Sequence, residues 1–328
     1  VIIPTRDRAK DLDLLLLTML DQEYLPFEVI VVDDSHVGSS KEVVNSLCSK
    51  FSSRNCELKY VQGTGRGLPA ARNLGVKISQ GEGILFLDDD TLLDQNVISS
   101  LATYLRDNPT ALGLQPEVLY PIRSYGNRGV VRNLENSIYK TFMLSYREEN
   151  KLEVRRSGAS VFPNNLAKAI SAQRLFGCCC CYRREIFTRL CFDTNLQRWG
   201  FMEDLDFSYR VYKRNPQSLF IIPHAKVVHT SSSEAKLPTK LCVDMETTYW
   251  FYIFFKDVLE GSILNLVAFL WALTGNAVVC VGGLIIKRKP KTEWWNLIYL
   301  LASYSTAFRN LKNILTLKLE FFNKNLNK

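Results

Sequence analysis

GILFLDDDT, residues 83–91, decides the architecture of this chain. Residues 84–87 are apolar without a break, the pattern of a strand buried on both faces in a sheet covered by helices on both sides. Asp88, Asp89 and Asp90 then stand at its carboxyl end. In open parallel sheets ligands bind beyond the carboxyl ends of the strands, so three acids there point to a site. The ordinary reading is an acidic turn capping a helix that starts near Thr91.

The same alternation repeats upstream. Residues 1–3 form a β-branched run stopped by Pro4, and residues 10–22 carry leucines at helical spacing. FEVIVV, residues 27–32, is a second buried strand, ending in Asp33-Asp34. A helix over 41–51, a strand over 58–61 and a glycine-rich loop over 63–67 follow. Residues 68–79 read as a helix with Pro69 in its first turn, where the missing N–H costs nothing. This order predicts an α/β fold, a mostly parallel sheet flanked by helices. Downstream, residues 108–153 are less regular and strands resume over 175–182. A turn at Trp199-Gly200 precedes a charged helix over 202–213, and a strand over 219–222 leads to His224 and His229.

The 328 residues are 47% hydrophobic with a formal charge of +8, which excludes intrinsic disorder, and a chain this long buries a core without disulfide staples. Val1 already lies inside an apolar run, the look of a chain trimmed at its start. Four of the nine cysteines are consecutive, residues 178–181. Neighbours along a strand point to opposite faces, so they cannot wrap one zinc ion; they read as small apolar residues in a buried strand. The other cysteines show no paired spacing, which indicates a reducing compartment with the catalytic part in the cytosol. Basic residues are dispersed and no nucleic-acid motif occurs, so no nucleic-acid partner is expected.

Composition shifts after about residue 237, giving an expected catalytic domain over 1–237 and a helical, membrane-associated C-terminal region over 238–328. Residues 261–286 carry no charge, long enough to cross a hydrocarbon core of ~30 Å at ~1.5 Å per residue. Asn265, Asn276 and several glycines weaken it as a span. Lys287-Arg288-Lys289-Pro290-Lys291 follows, then Trp294-Trp295, a pairing suited to the membrane–water interface. A single crossing from a cytosolic catalytic part would put these basic residues outside, against the positive-inside bias, so a helical hairpin or interfacial helices on the cytoplasmic side fit better. A soluble helical subdomain is the plain alternative. An anionic leaflet or a lipid diphosphate would account for the basic cluster.

Each acidic group has a chemical reading. Three ionised carboxylates at a buried strand's mouth need a compensating cation or hydrogen-bond donors. Mg2+ or Mn2+ is the natural partner, and such ions usually also hold substrate phosphates. Asp33-Asp34 can accept from ribose or base donors; the plain alternative is a helix N-cap worth ~1 kcal/mol. Glu203 and Asp204 are neighbours on a predicted helix, so their side chains diverge and cannot share one task. One can face a cleft as general base while the other is held by an arginine or a backbone amide; otherwise, with Asp206, they are a first turn favoured by the helix dipole. One of His224 and His229, near acidic strand ends, can complete a metal site, although a lone histidine is more often structural.

Together, VIIPTRDR, VIVVDDS, GLPAARNLGV, GILFLDDDT, GFMEDLDFSYRVYKR and a strand ending in AKVVH resemble, in order, the family 2 glycosyltransferases with the GT-A fold, over residues 1–229. The resemblance implies a Rossmann-like GT-A sheet and transfer of a sugar from a nucleotide diphosphate (UDP-, dTDP- or GDP-linked) to an acceptor hydroxyl, usually with inversion. By the same resemblance Pro4, Thr5 and Arg6 line the nucleotide pocket. Asp34 contacts the base with help from Asp33, and Arg72 lies near the nucleotide. Asp88 to Asp90 match the D-x-D motif that meets ribose and divalent metal, with Asp88 and Asp89 toward the nucleotide, and Asp88, Asp90 and His229 as metal ligands; Asp90 is the favoured one of the triplet. Asp204 matches the catalytic base, supported by Glu203. Residues 175–184 and Trp199 border the acceptor site, for a glycan or lipid-linked acceptor in polysaccharide or glycolipid synthesis at a membrane surface. DDSHVGSS lacks the third acid that often follows the second motif, and the proline often found after the third acidic cluster is missing, with Asp94 nearby instead. Both leave the donor preference open.

Rival readings fit less of the chain. A phospho-signalling receiver module needs its paired acids, a Ser or Thr strand end and a Lys strand end within one domain of roughly 100–150 residues; here motifs run well beyond that. A haloacid-dehalogenase phosphohydrolase needs the Asp88-x-Asp90-Thr91 pattern near the first strand, whereas several elements precede it. A non-catalytic membrane scaffold with the same fold is separated by experiment.

Overall fold

Strand β1 (Ile2–Thr5), helix α1 (Ala9–Leu20), β2 (Glu28–Asp33), α2 (Ser39–Ser52), β3 (Glu57–Gln62), α3 (Leu68–Ile78) and β4 (Gly83–Leu87) alternate as the hydrophobic pattern dictates. Strand β5 (Thr91–Leu93), α4 (Val97–Asp107) and β6 (Gly113–Leu119) follow, then α5 (Gly129–Thr141), β7 (Tyr146–Glu149), β8 (Glu153–Val154) and β9 (Ser160–Asn164). The order continues with β10 (Ile170–Ser171), β11 (Cys179–Arg183), α6 (Glu203–Arg214), β12 (Leu219–His229), α7 (Thr239–Ile253), α8 (Ile263–Ile286) and α9 (Pro290–Arg309). This computed structural model describes residues 1–24, 26–35, 38–120, 129–164, 166–230, 238–286 and 290–326. They fall into two compact units, Val1–Arg123 with Leu166–Lys236, and Ser124–Asn165 with Leu237–Lys328.

Among the described residues, the first unit holds a sheet of nine strands in the order β10-β12-β6-β11-β4-β1-β2-β3, with β5 on β12. Strands β4, β1, β2 and β3 run parallel. Strand β11 is antiparallel to both β4 and β6, and β12 is parallel to β6. The carboxyl ends of β1, β2, β4 and β12 therefore share one edge. Alternation along the strands fills both faces. Ile3, Val29, Val31, Leu85 and Leu87 pack with α1, α2 and α4 residues such as Leu15, Phe51 and Leu101. On the opposite face Phe86 meets Tyr182, Phe187 and Phe192 edge-on, and Phe192 stacks on Phe207 of α6 at 4.2 Å. Helix α3 lies so close to β1 that a Cβ at Gly75 would come within 2.4 Å of Ile2. Cys178 to Cys181 are buried and free, as their alternation along a strand implies.

Two local expectations are corrected. No helix starts near Thr91: Thr91, Leu92 and Leu93 pair with His229, Val228 and Val227 as strand β5, and the helix waits until Val97. Pairing with a distant strand overrides the local capping signal. The strand over 219–222 runs on to His229, its ladder with β6 shifting register between Ile222 and Lys226. Pro223 lies there and has no N–H to give a ladder.

In the second unit α8 packs against α9 and α9 against α7. Tyr304 donates to the Leu273 carbonyl (3.2 Å), and Ser303 donates to Asp244 (2.5 Å). Phe251, Phe254 and Phe269 form its aromatic centre, Phe254 and Phe269 stacked at 4.0 Å. Ile263–Leu284 has a mean hydropathy of 1.9 and is only 28% buried, long and apolar enough to cross a membrane. Ile263, Val267, Leu270, Trp271, Val278 and Val281 lie exposed along α8, and Trp294, Trp295, Ile298 and Leu301 along α9. Lys287, Arg288 and Lys289 of the basic cluster lie outside the described residues.

Candidate active site

After Leu87 the chain turns across the sheet edge. The Asp88 N–H donates to the Cys178 carbonyl (2.9 Å), and Thr91 N–H closes back on Asp88 O (3.2 Å). The three aspartates then diverge. Asp88 accepts from Arg72 Nη2 at 2.9 Å. Asp89 is buried, accepting from Thr5 Oγ1 at 2.7 Å and Arg8 Nη1 at 3.1 Å. Asp90 meets His229 Nε2 at 2.9 Å through Oδ1 and Arg8 Nη1 at 3.0 Å through Oδ2. Strand β12 delivers His229 by setting it opposite Thr91, and the Thr230 N–H and hydroxyl both donate to Asp90 O. Tyr120 packs edge-on against the imidazole, with centroids 5.7 Å apart.

One ligand atom each from Asp88, Asp90 and His229 lies within 4.8 Å of the others. Two carboxylate oxygens and an imidazole nitrogen at this spacing are a donor set that suits a divalent ion such as Mg2+ or Mn2+. Burial pushes the Asp89 carboxyl up to about 7, against the pull of Arg8 and Thr5. Burial also disfavours the His229 cation, but its hydrogen bond to Asp90 and the charges of Asp88 and Asp90 outweigh that and raise its pKa.

Asp33 and Asp34 end β2. Asp33 Oδ1 accepts from Ser35 N–H at 2.9 Å, and its Oδ2 lies 3.2 Å from the Tyr60 hydroxyl. The Asp34 carboxylate takes one backbone N–H on each oxygen, Gly65 on Oδ1 and Gly67 on Oδ2, both at 2.7 Å. The glycine loop needs its glycines for this. A Cβ at Gly63 would sit 2.4 Å from Asp34 Oδ1, and Gly67, at φ +92°, would put one 2.2 Å from Arg198 N.

Arg72 reaches from α3 into a fully buried position. It donates to Glu203 Oε1 (2.5 Å), Asp88 Oδ1 (2.9 Å) and Gly177 O (2.9 Å), between the rings of Phe86 and Phe192. Burial opposes its charge, yet Glu203 and Asp88 more than compensate and hold its pKa above the usual range. Glu203 is pushed the other way, up to about 8, by burial that Arg72 only partly offsets. Its neighbour on α6 faces elsewhere, as adjacent helical residues must. Asp204 Oδ2 accepts from Arg174 Nη2 (2.9 Å) and Gly177 N–H (3.0 Å), and Oδ1 from Leu205 N–H (2.7 Å). The Gly177 backbone thus joins the two acids: its carbonyl accepts from Arg72, which also holds Glu203, and its N–H donates to Asp204.

Asp88, Asp90 and His229 come together, and Arg72 links Asp88 to Glu203 beside Asp204. Thr5 touches Asp89, while Pro4 is a buried residue of β1. Arg6 points outward, paired with Asp7 at 3.5 Å with both side chains exposed. His224 is exposed, away from the cluster. Sequence reading missed Arg8, which enters the acid turn where Arg6 does not. Asp7 adopts φ +57°, a left-handed turn that re-aims the chain and is rare without glycine. It also missed Arg174, whose only signal is its closeness to the cysteine strand, and it gave Gly177, within the 175–184 segment, no role of its own.

The family model described as "Glycosyl transferase family 2" matches residues 1–191. Chondroitin synthase of Pasteurella multocida (strain Pm70) is 26% identical over 234 residues, 65% of this chain and 23% of that protein. The first curated relatives it matches are much longer; the alignments span 14 to 23% of their length. Among solved structures, the mannosyltransferase PcManGT from Pyrobaculum calidifontis, in complex with GDP-Man and Mn2+, matches with a TM-score of 0.58 at 17% identity, covering 94% of this chain and 86% of that one. S. aureus TarS 1-349 in complex with UDP-GlcNAc matches with a TM-score of 0.52 at 16% identity, covering 90% and 78%. At these identities the likeness speaks to the fold.

Proposed function

Because this chain belongs to glycosyl transferase family 2, we propose that it moves a sugar from a nucleotide diphosphate to an acceptor hydroxyl in one displacement that inverts the anomeric carbon. The observation that carries the reading is the meeting of Asp88, Asp90 and His229 at the sheet edge, tied through Arg72 to the helix start bearing Glu203 and Asp204. The structural relatives solved with UDP-GlcNAc, and with GDP-Man and Mn2+, support a nucleotide-sugar donor.

Pro4, Thr5, Asp33 and Asp34 line the nucleoside end, with Arg6 at its rim. Each Asp34 oxygen takes one backbone N–H and keeps a lone pair for a base donor. Asp88, Asp90 and His229 would hold Mg2+ or Mn2+, which when bound supplies positive charge opposite the departing diphosphate. Asp89 stays under the turn, fixing it to β1. Asp204 takes the proton of the acceptor hydroxyl, its orientation set by Arg174 and Gly177. Glu203 faces inward and steadies Arg72. A positioned base of this kind contributes ~10²–10⁴-fold. The exposed apolar rows of α8 and α9, with Trp294 and Trp295, support a place on the cytoplasmic membrane surface, acting on a glycan or lipid-linked acceptor in polysaccharide or glycolipid synthesis.

The test screens UDP-, dTDP- and GDP-sugars for diphosphate release with Mn2+, Mg2+ or EDTA, in wild type and D204N. Metal-dependent release that falls ~10²–10⁴-fold in D204N, with nucleotide binding kept, supports the proposal. Equal release by both proteins removes Asp204 as base. Failure to bind any nucleotide returns the chain to the scaffold reading.

A further inference from the structure

Arg8 closes the first sequence motif, where it was given no role, and among the described residues the fold places it inside the acid turn. Its Nη1 lies 3.1 Å from Asp89 Oδ1 and 3.0 Å from Asp90 Oδ2, with the side chain 19% exposed. The other Asp90 oxygen faces His229. Asp90 is therefore shared: one oxygen toward the triad, one toward a fixed guanidinium. The left-handed turn at Asp7 produces this by sending Arg6 outward and Arg8 inward. Residues rarely hold such a conformation unless their surroundings require it.

We propose that Arg8 is a built-in counter-ion of the acid turn, a positioning residue that lowers the site's affinity for a divalent ion in the absence of substrate. The inference rests on the metal reading of Asp88, Asp90 and His229. Arg8 and Arg72 already offset much of the charge of Asp88, Asp89 and Asp90. An ion arriving alone gains little, and it meets a like charge on the far side of Asp90. A donor diphosphate brings the missing negative charge, so ion and donor enter together. Lysine would keep the charge; glutamine would keep a hydrogen-bond donor without it.

The experiment titrates Mn2+ into wild type, R8Q and R8K without nucleotide at pH 8, following free aquo-Mn2+ by electron paramagnetic resonance, with circular dichroism melts to verify folding. The same pair is compared in a D89N background, which removes the neighbouring carboxyl able to take up a proton in place of the lost charge. R8Q should bind Mn2+ about tenfold more tightly than wild type, with the same direction in D89N, while R8K stays within about threefold. Equal or weaker binding by R8Q in both backgrounds overturns the role given to Arg8 and leaves the metal reading standing. Folded wild type and R8Q that both bind no Mn2+, with or without UDP or GDP present, overturn both.

Discussion

Arg72→Met tests the buried brace between the acid turn and α6. Methionine fills the aliphatic stem between Phe86 and Phe192 but gives up donors to Glu203, Asp88 and the Gly177 carbonyl. Glu203 is 3% exposed and its Oε2 has no hydrogen-bond partner, so losing Arg72 leaves a buried acid uncompensated. Breaking such a pair from one side costs about 3–5 kcal/mol. At about 2–4 °C per kcal/mol for a unit of this size, the melting temperature should fall by about 6–20 °C. The cost depends on pH, because a carboxyl already pushed up to about 8 escapes by taking a proton. R72M should therefore lose less at pH 6 than at pH 9. Urea unfolding at both values measures this. The double variant R72M/E203Q removes the stranded charge and should recover about 1–3 kcal/mol of the loss at pH 9. If R72M stays within about 1 kcal/mol of wild type at both pH values, or the two substitutions simply add, the brace is not what holds these elements together.

Other outcomes follow from the same geometry. Glu203 and Asp89, raised to about 8 and about 7, keep protons in the folded state that the unfolded chain releases near 4, so stability should fall as pH rises from about 4 to 8 and level off above. E203Q should flatten the upper part of that decline in urea titrations with EDTA, and an unchanged slope would refute it. Gly67→Ala should cost more than about 2 kcal/mol, because its Cβ would strike the Arg198 backbone, whereas Gly65→Ala, at φ +71° with open space around it, should cost only about 1–2 kcal/mol; equal losses in denaturant melts would contradict this. H229A should lose the thermal stabilisation that Mn2+ gives wild type, about 2.7 kcal/mol at a hundredfold excess over Kd; a retained shift would place the ion elsewhere.

The sheet was legible because its central strands are apolar without interruption. Residues 29–32 and 84–87 had nowhere to go but a doubly covered interior, and each ended in acids that the parallel arrangement brings to one edge. His229 was legible as a histidine ending an apolar run, although the length of β12 was not, because Pro223 hides its continuity. Arg8 and Arg174 were illegible for a different reason. A single left-handed residue, Asp7, determines which arginine of the first motif faces inward, and no hydrophobic period records a sign of φ. Nor did the irregular stretch over 108–153 announce β6, whose partners β11 and β12 lie far along the chain, or β7, which sets Tyr146 opposite Val161 of the nearby β9.

The pairing of His229 with Asp90 spans 139 positions of sequence. During synthesis, the aspartates emerge long before the histidine that completes their triad. Contacts of such separation are the slow, entropically costly ones in folding. A nascent chain that has not yet added β12 owns a partial cage of carboxylates without its nitrogen. Ion uptake by a newly made chain would therefore report that its last central strand had docked in register, and a ribosome-stalled series ending before and after residue 229 would reveal that moment.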